Sequence, residues 1–196
     1  MQALRPLHQT VARRGVTLIE LVLVFVLVGI LTALAIPIVN TPGFRADSEA
    51  RNARTVLQMA QRLAITHQYD VVVGFDTINM RIRVLEDTNN NNIIDAGERV
   101  TYHGFENGIK FATPPSNIGL NGTVAGHAIT GTHIQTLNGL PSIVFLRSGS
   151  ASSDVQIYLT SPRSVTADYR GIAVTQSTGR TTYSRLLNLV WTLANI

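Results

Sequence analysis

The chain has 196 residues, 45% of them hydrophobic and only 14% charged, so it can bury a core of domain size and is not a charge-rich disordered polymer. With no cysteine, a disulfide scaffold, a thiolate zinc site and a cysteine nucleophile are all excluded. The formal net charge of +4 falls to +1 when the first 15 residues, with Arg5, Arg13 and Arg14 and no acid, are set aside: 13 basic residues then face 12 acidic ones. The isoelectric point near 10.0 is thus partly a leader effect and gives weak support to a nucleic-acid partner.

Residues 16–39 form an apolar run in which Glu20 is the one ionisable side chain. As a helix this run matches the ~30 Å hydrocarbon core of a bilayer. The basic flank before it predicts a cytoplasmic N-terminus and an extracytoplasmic C-terminal bulk, with an inner-membrane, single-pass precursor. A second reading is an ordinary signal peptide. Ala33-Leu34-Ala35 has the form of its cleavage site, and cutting after Ala35 would release a secreted enzyme or adhesin. The apolar core is long for that role, which usually takes about 7–15 residues. A lone carboxylate costs on the order of 2–3 kcal/mol in a membrane, so Glu20 calls for a partner.

Arg13-Arg14-Gly15, then Val16-Thr17-Leu18-Ile19-Glu20-Leu21, the apolar run and Pro37 resemble the class III leader of type IV prepilins and type II secretion pseudopilins. The resemblance implies cleavage by a prepilin peptidase between Gly15 and Val16, methylation of the new amine at Val16, and retention of the apolar segment. Val16 departs from the Phe or Met usual at that position. Glu20 becomes the fifth mature residue, placed to pair with the Val16 amine of a neighbouring subunit. The implied partners are other pilins or pseudopilins, the peptidase, an inner-membrane assembly platform and, before assembly, lipid. After assembly the subunit belongs to an extracytoplasmic filament.

Pro37 disfavours a helical Ile36, and Asn40-Thr41-Pro42-Gly43 is a stronger break. A second helix is predicted over 45–67, opened by Asp47-Ser48-Glu49, with Ala53, Val56, Leu57, Ala60, Leu63 and Ala64 forming one apolar stripe. Strands are predicted over 71–75, 80–85, 99–102, 109–112, 142–147, 155–160, 171–176 and 181–189, with a Gly/Asn/Thr-rich excursion over 113–139 carrying one or two weak strands. The expected layout is a leader over 1–15, a transmembrane and assembly helix over 16–40, a second helical segment over 41–68 packing on the sheet, and a β-rich periplasmic domain over 69–196. The fold class is α+β: a long N-terminal helix followed by antiparallel sheets, pilin-like. The patterns Tyr69-Asp70-Val71-Val72-Val73-Gly74-Phe75-Asp76, Arg81-Ile82-Arg83-Val84 and Ser177-Thr178-Gly179-Arg180 resemble the GspH/FimT group of minor pilins and pseudopilins.

Asp87, Asn89, Asn91, Asp95 and Glu98 occupy positions 1, 3, 5, 9 and 12 of a calcium-loop spacing, with Asn92 where the turn glycine is expected. Ca²⁺ is therefore a candidate cofactor, against a metal-free reading in which Asn and Asp simply make the turn. Arg163, Arg170, Arg180 and Arg185 face one acid, Asp168, in the C-terminal stretch. Some FimT-like pilins bind DNA through a Gly-Arg-x-Arg turn. Gly179-Arg180-Thr181-Thr182 keeps the first arginine and loses the second, so DNA binding through Arg180 and Arg185 is an alternative to a solvated face. His127 and His133 are too few for a metal site. No catalytic motif is found, and a structural, non-enzymatic role is expected.

Overall fold

The computed structural model describes residues 15–35 and 41–194. The first 14 residues of the expected leader and the end of the expected 16–40 segment, Pro37 included, lie outside the described residues. The chain divides into two units, Met1–Asn40 and Thr41–Ile196.

The first unit holds helix α1, Leu18–Ala35. Thr17 caps it: its hydroxyl accepts the Glu20 N–H at 3.3 Å, the arrangement a Thr-x-x-Glu start favours. From Leu18 to Leu31 the large side chains are about half exposed or more, with Leu18 at 83% and Phe25 at 68%. At ~1.5 Å per residue, 18 residues span about 27 Å. No helix among the described residues is long and apolar enough to cross a membrane.

The second unit opens with helix α2, Thr41–His67. It starts a turn earlier than the acids Asp47 and Glu49 suggest. Pro42 falls in the first turn, where its missing N–H leaves no helical bond unmade, so Pro42-Gly43 belongs to the helix instead of breaking it. The buried face carries Ala46, Ala50, Ala53, Val56, Leu57, Ala60 and Ala64. Most are alanines, whose small side chains let the helix lie close on a sheet.

Among the described residues eleven strands follow: β1 Asp70–Asp76, β2 Arg81–Asp87, β3 Arg99–Gly104, β4 Lys110–Phe111, β5 Ile129–Gly131, β6 Gln135–Leu137, β7 Leu140–Phe145, β8 Val155–Thr160, β9 Arg170–Val174, β10 Thr181–Leu187 and β11 Val190–Leu193. They form two antiparallel sheets, one in the order β3-β2-β1-β7-β6 and the other β11-β10-β9-β8-β4, with β5 also pairing β8. The main core joins the α2 stripe to Val71, Val73 and Phe75 of β1, Ile143 and Phe145 of β7, Ile157 and Leu159 of β8, and Ile172 and Val174 of β9. On the opposite face of β1, Val72 packs with Leu85 and Val144 under Val100, Leu137 and Leu146. Burial on both faces explains why β1 reads as an unbroken apolar run and not as an alternation.

Sequence and structure part at the C-terminus. The single strand predicted over 181–189 is instead β10, a two-residue turn at Asn188 and Leu189, and β11. Both turn residues have positive φ, 49° and 62°. Such hairpins usually announce themselves with Asn-Gly, and leucine there gives no such signal.

Candidate functional site

A buried polar cluster lies where the first turns of α2 meet β9 and β10. Asp47 is on the buried side of α2, 9% exposed. Its Oδ1 accepts from Arg170 Nε at 2.5 Å, from Arg185 Nε at 2.9 Å and from the Tyr183 hydroxyl. Arg170 also donates to the carbonyls of Gly43 (3.2 Å), Ala167 (2.6 Å) and Tyr169 (2.9 Å), so its guanidinium bonds the first turn of α2 to the run into β9. The Arg170 side chain is 5% exposed and that of Arg185 37%. Burial pushes the Asp47 carboxyl up, but the hydrogen bonds from Arg170 and Tyr183 and the charges of both arginines outweigh it and hold it below its ordinary value. For Tyr183, burial and then the Asp47 carboxylate raise the phenol. Sequence reasoning treated Asp47 as a helix-start acid. The missed signal was its place beside Ala46 and Ala50 on the apolar stripe.

Further along α2, the Gln61 amide donates to Gly149 O at 2.7 Å and Thr178 O at 2.8 Å, tying the β7–β8 and β9–β10 loops to the helix. Gly179, at φ 62°, lets these loops touch: a Cβ there would lie 2.2 Å from Gly149 O and 2.5 Å from Gln61 Nε2. Arg180 follows, exposed, with its backbone N–H on the Thr178 hydroxyl at 3.2 Å. The turn thus presents Arg180 to solvent, whereas Arg185 is drawn to Asp47. His127 and His133 are exposed and flank β5.

The 87–98 segment forms the β2–β3 loop, with Asn90 and Asn92 at φ 58° and 61°. Asp87 accepts the N–H groups of Asn91 (3.1 Å) and Asn92 (2.6 Å). Asp95 Oδ2 accepts from the side-chain amides of Asn89 (2.8 Å) and Asn91 (2.7 Å), and these bonds hold its carboxyl below its ordinary value. Glu98 accepts from Thr88 N at 2.9 Å and Asp95 N at 3.1 Å. The five residues are brought together, but in this arrangement the carboxylates are held by amide donors. Among the described residues no group of three or more His, Asp or Glu side chains is placed to hold a metal ion.

Near the N-terminus, Gly15, Val16 and Thr17 precede α1 and are exposed, and Glu20 is in the first helical turn. There a carboxylate complements the helix dipole.

No family model matches the chain, and no curated protein matches it. Among solved structures, one of the minor pseudopilin EpsH from the type II secretion system of Vibrio cholerae is similar at TM-score 0.48 and 12% identity, over 71% of this chain and 95% of that one. A second structure of the same minor pseudopilin is similar at TM-score 0.47 and 13% identity, over 71% of this chain and 92% of that one.

Proposed function

We propose that the chain is a structural subunit of a filament of the pilus or pseudopilus kind, cut after Gly15 and assembled through its N-terminal helix. The observation that carries this reading is the surface of α1. Twelve Leu, Ile, Val and Phe side chains from Leu18 to Leu31 are about half exposed or more, in an apolar helix that begins two residues after Val16. Covering twelve such side chains is worth on the order of 10–20 kcal/mol, so the helix requires lipid or other helices around it. The prepilin-like motif supplies the sequence of events. The apolar segment holds the precursor in the inner membrane with its C-terminal domain outside, cleavage frees the Val16 amine, and a neighbour's Glu20 neutralises that amine as helices bundle. Leaving either charge of such a buried pair alone typically costs about 3–5 kcal/mol, which favours one axial register.

Two measurements test the reading. Mass spectrometry of the mature protein should find methylated Val16 at its N-terminus, and a chain beginning at Ile36 would replace the filament subunit with a secreted product. Glu20→Ala should be processed normally yet fail to enter filaments. Normal incorporation of that variant refutes the pairing.

A further inference from the structure

Between the start of α2 and β10 lies an open notch of about 350 Å³ lined by Phe44, Asp47, Ser48, Arg51 and Arg185. Phe44 is 66% exposed at its rim. Arg185 spends its Nε on Asp47, and Arg51 is exposed and in no ion pair among the described residues. Asp47, the carboxylate of the lining, is already paired with the buried Arg170 as well as with Arg185, so the guanidinia of Arg51 and Arg185 leave the notch net positive. Arg45, one turn away, is exposed and adds a third. Glu49, the remaining acid of α2, is buried and set towards Asn52 and Glu106.

The opposite pole lies at the other end of α2. Asp70 begins β1 three residues after His67, pairs with Asp87, and donates its N–H to Asn90 Oδ1 at 2.7 Å, which fixes the β2–β3 loop beside the C-terminal end of the helix. At ~1.5 Å per residue, the stretch of α2 from Asp47 to His67 puts about 30 Å between the two ends. In the loop, Asp87, Asp95 and Glu98 meet amide donors and form no ion pair among the described residues, and Asp95 and Glu98 are partly exposed. Arg99 is engaged with Glu86 at 3.7 Å.

We propose that the notch of one copy receives the Asp95–Glu98 carboxylates of a second copy, joining subunits head to tail. A guanidinium pair beside an aromatic rim suits a carboxylate, which two N–H forks can grip. Because donor and acceptor surfaces are different patches at opposite ends of one helix, the contact is heterologous, the kind from which an open filament is built. The inference rests on the filament reading above and supplies a contact in the globular unit that the N-terminal helices do not provide.

The absence of cysteine allows a direct test on the full chain in membranes. Two differently tagged copies are co-expressed, one Ser48→Cys and one Ala96→Cys, both exposed positions, and the mixed disulfide is measured after mild oxidation. It should exceed the yield of a Ser48→Cys with Thr132→Cys control by about tenfold and fall by a similar factor with Arg51→Glu. It should also fall in about 1 M salt, where charges are screened beyond ~3 Å. Adding Asp95→Lys to Arg51→Glu should restore it. A yield at the control level, or one indifferent to Arg51→Glu and to salt, overturns the proposal. With Val16 methylated and Glu20→Ala excluded from filaments, such a result removes the notch contact alone. A mature chain starting at Ile36 removes the filament reading whatever the disulfide yield.

Discussion

Replacing Asp47 with Asn keeps the size of the side chain and removes its charge, leaving the Arg170 guanidinium, 5% exposed, facing a neutral amide. Breaking a buried ion pair by neutralising one partner typically costs about 3–5 kcal/mol. The lower end applies here, because Arg170 keeps the carbonyls of Gly43, Ala167 and Tyr169. Arg185, more than a third exposed, adds little to the cost. About 3 kcal/mol lowers the melting temperature by roughly 6–12 °C in a domain of this size. Near-UV circular dichroism of the full chain in detergent reads the change, with Ser48→Ala as an exposed control expected to move little. The loss should also depend on pH. Asp47 titrates lower in the folded state than its ordinary 3.8, so its contribution is fully present above that value and fades as pH falls through the folded one. The gap between wild type and Asp47→Asn should therefore narrow steadily below pH 3.8. A loss below about 1 kcal/mol at neutral pH, or a gap that stays constant into strong acid, refutes the view that this cluster fastens α2 to the second sheet.

Gly179→Ala places a Cβ 2.2 Å from Gly149 O at φ 62° and should cost roughly 2–3 kcal/mol in denaturant unfolding, whereas Gly122→Ala, at φ 76° with open space around it, should cost only about 1 kcal/mol. Equal effects of the two would show that the β7–β8 and β9–β10 loops are not held in contact. For the β2–β3 loop, the calcium spacing and the amide bonding predict different results. Because the loop amides come between Asp87, Asp95 and Glu98 and no group of three such side chains is gathered to hold a metal ion among the described residues, millimolar calcium should leave the melting temperature unchanged. A calcium-dependent rise abolished by chelator would mean that the loop oxygens reorganise around the ion.

The local features of this chain follow from short stretches of sequence. An uninterrupted apolar run with one acid gives α1 and its need for a cover, Thr17-x-x-Glu20 gives its start, and the alternation of apolar runs with Asn, Asp and Gly gives most of the strands. These are short-range consequences of periodicity, capping and turn chemistry, and neighbours a few residues apart are enough to set them. The Asn188-Leu189 turn escaped because the left-handed backbone of Leu189 goes with the pairing of β10 and β11 and not with a permissive residue at that position. Which polar groups meet was decided only by the tertiary fold. Asp47 and Arg170 are 123 residues apart, Asp47 and Arg185 are 138, and Gln61 reaches Thr178 across 117. Nothing local distinguishes an arginine that closes a buried cluster from one left in water. That choice depends on how α2 lies across the second sheet, and it separates Arg185, bound to Asp47, from Arg180, five residues earlier and exposed.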